Sequence, residues 1–371
     1  MDVMKSKAVA LTLLAVLVAC LTLTGVASAK TVGIVMPTKS LERWNRDGEY
    51  LKQQFESKGY NVSMRYSDNK IDQQIKDVEG LIADNVDLLV IVPIDGYSLT
   101  QVLQDAEGEI PVISYDRLIM NSKAVLYYVS FDNYRVGVLQ GEFVKKALDL
   151  DHANGKTFNI EFTAGDPADN NAPMFFKGAF DTLKPYIDSG VLVIPSGQKD
   201  FQQVATKSWD SAVAMARMQN ILASHYAGGR VLHVALCSND STALGVTKAI
   251  VDDYAGDNKV IITGQDGDVA NLANIIDGKQ TMTVYKAVAN EAIATLDLGI
   301  AIMDGKKPDG SLIEKSKWPF DCVYDTESYN NGKGNVASFL LTPTVVTKDN
   351  IKAELVDTGY YYMDGKYPKA R

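Results

Sequence analysis

The run Ile110-Pro111-Val112-Ile113-Ser114-Tyr115 stops abruptly at Asp116-Arg117, and that junction carries the first chemistry in the chain. A proline followed by apolar and β-branched residues reads as a strand buried on both faces. Asp116 offers only acceptors, and Arg117 only donors set in a rigid fork. Side by side they suit a polyol, because each hydroxyl both donates and accepts. The pair also reads as a loop ion pair, with Asp116 capping whatever follows. Recurrence favours a ligand. Asp95, Asp132-Asn133, Asn170-Asn171, Asn239-Asp240, Gln265-Asp266 and Lys286 stand at the ends of other apolar runs. Turn preference accounts for any one of them, but poorly for all of them together. Trp44 and Trp209 add flat faces that can cover the apolar C–H face of a pyranose. Trp44 also lies on the apolar stripe of a helix, where core packing is the competing role; Trp209 follows polar residues in a loop.

An enzyme needs a nucleophile, a base or a metal, and the sequence offers little of each. His152, His225 and His233 show no ligand spacing, and no Gly-x-Ser-x-Gly occurs. Gly332-Lys333-Gly334-Asn335-Val336-Ala337 fits a dinucleotide fingerprint only loosely, and it leads into a strand rather than a helix. Asp166, Asp169 and Asn170 lack calcium-loop spacing. No Gly-rich phosphate loop is present and acids outnumber bases, which leaves a small neutral ligand. No metal and no cofactor are expected. Paired carboxylates suited to glycoside hydrolysis stay open, so an exported sugar hydrolase is the enzymatic alternative.

These residues must be positioned, and the pattern of elements says how. Thr31 to Met36 reads as a strand, followed by a helix with Leu41, Trp44, Gly48, Leu51 and Phe55 on one stripe. Strands at 62–66, 88–94 and 110–115 alternate with helices marked by Ile71, Ile75, Val78, Ile82, Leu99 and Val102. The pattern restarts at Tyr127-Tyr128-Val129-Ser130-Phe131 and runs through strands near 158–162, 191–194, 231–236, 260–263 and 281–285. A helix follows over 290–303, then a Lys/Pro/Gly-rich loop, a strand over 336–341 and, after Pro343, a last helix. Unbroken alternation predicts parallel sheets with right-handed crossovers. Two successive units of similar size predict two lobes.

With 371 residues, 46% hydrophobic and 22% charged, the chain has room for two cored domains. Lys5 and Lys7, the apolar run from Ala8 to Leu23, and Ala27-Ser28-Ala29 form an export signal, so 1–29 is expected to be removed. Leu17-Val18-Ala19-Cys20 offers a competing reading as a lipobox, with Cys20 lipidated on the outer face of the cytoplasmic membrane. The formal charge is −9, and the leader's net +1 takes the mature chain to −10. That acidic balance argues against nucleic acid and anionic membranes as partners. Cys237 and Cys322 remain in the exported chain and are expected to be unpaired.

Leu41-Glu42-Arg43-Trp44, Ile113-Ser114-Tyr115-Asp116-Arg117, Ser130-Phe131-Asp132-Asn133, Asp169-Asn170-Asn171-Ala172, Ser238-Asn239-Asp240, Gly264-Gln265-Asp266 and Thr281-Met282-Thr283-Val284-Tyr285-Lys286 resemble, in order, the periplasmic sugar-binding proteins of bacterial ABC importers, in the xylose and multiple-sugar branch. Trp318-Pro319-Phe320-Asp321-Cys322 departs from that pattern. The resemblance implies a type I two-lobed fold with three hinge crossings, near Phe131, Lys286 and Val336. The amino-terminal lobe would comprise 30–131 plus 286–336, and the carboxyl-terminal lobe 132–285 plus 337–371. It further implies that Arg43, Asp116, Arg117, Asp132, Asn170, Asn239, Asp266 and Lys286 hydrogen-bond a monosaccharide on which Trp44 and Trp209 stack. A monomer docking to a membrane permease, and in some members to a chemoreceptor or sensor kinase, completes what the resemblance implies.

Overall fold

The computed structural model describes residues 29–371. Apart from Ala29, the expected signal and Cys20 lie outside the described residues. Seven strands form one sheet: β1 (Thr31–Met36), β2 (Asn61–Tyr66), β3 (Leu88–Ile91), β4 (Val112–Tyr115), β5 (Val125–Phe131), β11 (Cys322–Asp325) and β12 (Ala337–Leu341). Their order is β11-β12-β5-β4-β3-β1-β2. All pairs are parallel except β11 with β12. The sheet was expected to be wholly parallel; the Trp318-Pro319-Phe320 departure instead builds this antiparallel edge. There Trp318 stacks on Phe320 and donates to Asp297 (2.8 Å), remote from the cleft-lining residues described below.

The second sheet is smaller: β6 (Phe158–Thr163), β7 (Leu192–Val193), β8 (Val234–Cys237) and β9 (Ile261–Ile262), all parallel, in the order β7-β6-β8-β9. Helices cover both sheets because each has an apolar stripe to bury. In α1 (Glu42–Ser57), Trp44, Leu51 and Phe55 join Val32, Ile34 and Val90 in the core of the large sheet. The pair α3 (Asn133–Ala147) and α4 (Ala172–Asp188) packs so closely that a Cβ at Gly137 would lie 2.0 Å from the Phe175 carbonyl oxygen. The remaining helices are α2 (Ile71–Ala83), α5 (Phe201–Val204), α6 (Ser211–Ile221), α7 (Asp240–Asp253), α8 (Val269–Asp277), α9 (Val288–Met303) and α10 (Ser311–Ser316). Among the described residues no helix is long and apolar enough to cross a membrane.

The carboxyl-terminal quarter corrects the sequence reading. The strand at 337–341 was assigned to the carboxyl-terminal lobe, yet β12 pairs in parallel with β5, Ala337 opposite Tyr127. Ala337–Leu341 therefore belongs to the large sheet with β1 to β5. The helix expected after Pro343 is instead a strand, β13 (Thr344–Thr347), antiparallel to β10 (Met282–Tyr285). A single π turn at Lys352–Val356 and a hairpin, β14 (Tyr361–Asp364) with β15 (Tyr367–Ala370), follow. Thr-Val-Val-Thr favours a strand through its β-branched side chains. Leu99 and Val102, expected on a helix, are buried beside a 3₁₀ turn at Val102–Gln104.

Candidate functional site

Parallel strands aim their carboxyl ends, and the helix starts that follow them, at one edge of each sheet. Here the two edges face each other. Leu41, Arg43, Trp44, Asp116, Arg117 and Lys286 meet Asp169, Phe175, Trp209, Asn239, Ser241, Gln265, Asp266 and Asp268 around a cleft of about 400 Å³. Only about 30 Å³ of it would admit a water-sized body, far below the ~300–1,000 Å³ typical of small-molecule sites. Much of it is narrow space between closely approaching side chains, so the lobes stand nearly shut.

Arg43, in the first turn of α1, is the hub. Its Nη2 donates to Asp116 Oδ2 (2.6 Å) and Glu291 Oε2 (3.2 Å), and its Nε to Asp47 Oδ2 (3.1 Å) one turn along the helix. Its Nη1 crosses the cleft to Asp266 Oδ1 (3.3 Å). Behind it, the Tyr115 hydroxyl donates to Asp47 Oδ1 (2.7 Å). Lys286, fully buried at the end of β10, donates to Asp116 Oδ2 (2.5 Å), with Phe131 and Phe175 beside its ammonium. Asp116 itself has φ 55°, a strained conformation for a non-glycine residue. It is held there because its carbonyl accepts from Tyr128 (2.6 Å), Ser130 (2.8 Å) and Asn171 (2.7 Å).

Arg117 does not pair with Asp116, as their adjacency suggested. Its Nε lies 2.8 Å from Asp169 Oδ2, an ion pair rather than an aligned hydrogen bond, and Nη1 donates to the Pro93 carbonyl (3.3 Å). The guanidinium groups of Arg43 and Arg117 both lie over the Trp44 ring, at 4.8 and 5.0 Å. Trp44 packs in the core, 3% exposed, and also lines the cleft. Across the cleft Trp209 donates from Nε1 to Asp169 Oδ2 (3.2 Å) and leans on Phe175. Ser208 and Trp209 both adopt positive φ, which turns the indole inward. A Cβ at Gly165 would stand 1.9 Å from that ring, so only glycine admits it. Asn239 caps α7 through Oδ1, accepting from the Thr242 N–H (3.0 Å), and its Nδ2 donates to Asp266 Oδ2 (3.4 Å).

Eight of the ten expected residues therefore line the cleft, and Asp132 and Asn170 do not. Asp132 is an exposed cap of α3, accepting from the Arg135 N–H (2.9 Å), which is the turn role. Asn170 donates to the Leu118 carbonyl (2.8 Å) and faces a separate groove. Its neighbour Asp169 takes the cleft position that the sequence reading gave to Asn170. Asp268 was also missed, and Gln265 was named among the polar strand ends without being carried into the expected ligand set. The signal for Gln265 was present in Gln265-Asp266; for Asp268 it lay only in sequence proximity.

Burial works against the negative charges here, and the cations decide which survive. Burial alone would raise the Asp116 carboxyl, but Arg43 and Lys286 outweigh it and hold Asp116 well below the usual range. Asp169 is raised by burial despite Arg117. Asp266 is likewise raised by burial, Arg43 opposing. Burial pushes Asp268 up to about 8 against the pull of Arg46. The result is one firmly ionised acid among protonatable ones, with three cations and three aromatic faces. Such a site satisfies hydroxyls of both senses. Among the described residues no cluster of His, Cys, Asp and Glu could hold a metal ion.

The sequence pattern of the periplasmic binding protein domain matches residues 32–307. This chain belongs to that family. It is 41% identical over 342 residues to the multiple sugar-binding periplasmic receptor ChvE of Rhizobium radiobacter, covering 91% of this chain and 92% of the relative. Identity to the D-xylose-binding periplasmic protein of Escherichia coli is 35% over 363 residues, 96% and 98% of the two chains. Among solved structures, an ABC transporter solute-binding protein from Clostridium phytofermentans with bound β-D-glucose superimposes with a TM-score of 0.84 at 46% identity, covering 91% and 99%. The two-lobed α/β architecture expected from sequence is that of this family. Each of these relatives is named as a receptor or binding protein, not as a hydrolase.

Proposed function

We propose that this periplasmic binding protein captures one aldopyranose (xylose, glucose, galactose or a similar sugar) between its two lobes and delivers it to the membrane permease of an ABC importer. The observation that carries the reading is the nearly shut cleft in which Trp44 and Trp209 flank a set of buried acids and cations drawn from both lobes. Arg43, Trp44, Asp116, Arg117 and Lys286 serve from one side, and Asp169, Trp209, Asn239 and Asp266 from the other. The xylose- and glucose-binding relatives support a monosaccharide, and the transporter component among them supports delivery. A relative named as a receptor supports a second role, presenting the bound sugar to a chemoreceptor or sensor kinase. Release into the periplasm after Ala29 is the preferred address, with lipidation at Cys20 as the alternative; the mass of the mature protein's first peptide decides between them.

Calorimetric titration of the mature protein against a panel of aldoses tests the reading. Saturable heat with one-to-one stoichiometry, no turnover of glycosides and no effect of chelator are expected. Product release from a glycoside, or binding abolished by chelator, overturns it.

A further inference from the structure

Arg46 stands one helical turn beyond Arg43 on α1 and is absent from the residues that line the cleft. It reaches across to the loop that carries Asp266. Its Nη2 donates to Asp268 Oδ1 (3.0 Å) and to the Asp266 carbonyl (3.3 Å), and its Nη1 donates to the Gly267 carbonyl (3.3 Å). The same Nη1 meets the Tyr361 hydroxyl, which itself donates to the Gly267 carbonyl (2.5 Å). On the same helix, both Glu42 carboxylate oxygens accept from the Val269 N–H (3.1 and 3.2 Å). The amino-terminal lobe thus grips four consecutive residues of the opposite lobe, from Asp266 to Val269, and the carboxyl-terminal hairpin buttresses the grip.

The gripped loop needs holding. Asp266 has φ 108° and Gly267 φ 76°, and the former is a conformation that L side chains avoid unless surroundings over-determine it. We infer that Arg46 is a positioning residue for sugar binding: it clasps the Asp266–Asp268 loop to the amino-terminal lobe, presents Asp266 to the ligand and slows the ligand's release. The inference rests on the monosaccharide reading above. When the lobes part, the guanidinium and the loop carbonyls return to water, so the clasp acts only on the closed state. It therefore shifts the open–closed population without contacting the ligand.

The test uses Arg46→Gln, Arg46→Lys and Tyr361→Phe in the full mature protein. Stopped-flow tryptophan fluorescence gives the sugar association and dissociation rates, beside melting temperature. Arg46→Gln is expected to raise the dissociation rate about tenfold or more while association changes by less than about threefold, the usual signature of an interface change. Arg46→Lys keeps the charge without the fork and falls between Gln and the parent. Tyr361→Phe raises dissociation by about threefold. Melting temperatures that fall with unchanged dissociation rates overturn the inference, because a merely structural ion pair gives that pattern. If the parent binds no aldose at all, the monosaccharide reading fails by itself. The clasp is then read from small-angle scattering of ligand-free protein, where Arg46→Gln must show a larger radius of gyration than the parent. An unchanged radius overturns the clasp.

Discussion

Replacing Arg117 and Trp44 separately by alanine should give opposite phenotypes. Arg117 is 6% exposed and spends Nε on Asp169 (2.8 Å) and Nη1 on the Pro93 carbonyl (3.3 Å). Among the described residues Nη2 has no protein partner, which leaves its protons for the ligand. Hydrogen bonds to charged groups contribute about 1.5–3 kcal/mol each. Losing one of them weakens binding by roughly 10- to 150-fold. The cost to folding stays small. Asp169 still accepts from Trp209 (3.2 Å) and the Asn171 N–H (2.9 Å), and loss of Arg117 removes the charge that opposes the upward push of burial on its carboxyl. Trp44 is 3% exposed in the core, where a Trp→Ala change costs about 3–5 kcal/mol of stability. Its stacking face is worth only about 0.5–1.5 kcal/mol to the sugar, or about 2- to 12-fold in Kd. Calorimetry with one aldose that the parent binds, paired with thermal melts, measures both quantities for each variant. Parent-like affinity with a lowered melting temperature in Arg117→Ala would refute the reasoning and leave Arg117 as a loop ion pair.

Other expectations concern protons, packing and thiols. With Asp268 pushed up to about 8 by burial, the folded chain keeps a proton that the unfolded chain releases near pH ~4. This group's stabilisation is complete below that lower value and is lost as pH rises through about 8. Asp268→Asn should therefore flatten the fall in melting temperature between pH 5 and 8.5, and parallel curves for variant and parent would sink the assignment. Gly165→Ala puts a methyl group 1.9 Å from the Trp209 ring. Sugar affinity should drop about tenfold as that stacking face shifts, with a changed tryptophan emission spectrum; calorimetry showing parent affinity contradicts it. Burial raises the Cys237 thiol and pushes Cys322 up to about 12, and both are free. Native protein should react slowly with a disulfide reagent at pH 8 and yield two thiols of the mature chain on denaturation. A single blocked pair seen by mass spectrometry would mean a disulfide.

Sequence alone determined the alternation of strands and helices and which short polar residues stand at the strand ends, because both are local. A buried strand must be apolar along its run and stop where the chain meets water, so Asp116, Asn239, Asp266 and Lys286 were legible as cleft residues. Local pattern does not carry the direction in which a side chain leaves a loop. With φ 55° at Asp116, that carboxylate meets Arg43 and Lys286 while the adjacent Arg117 turns to Asp169. Within the run Asp169-Asn170-Asn171, only the fold sends Asp169 to the cleft and Asn171 to the Asp116 carbonyl. The sheet that takes β12, the strand after Pro343 and the Arg46 clasp were likewise tertiary decisions. Each depends on partners far apart in sequence: β12 on β5, β13 on β10, and Arg46 on a loop 220 residues away.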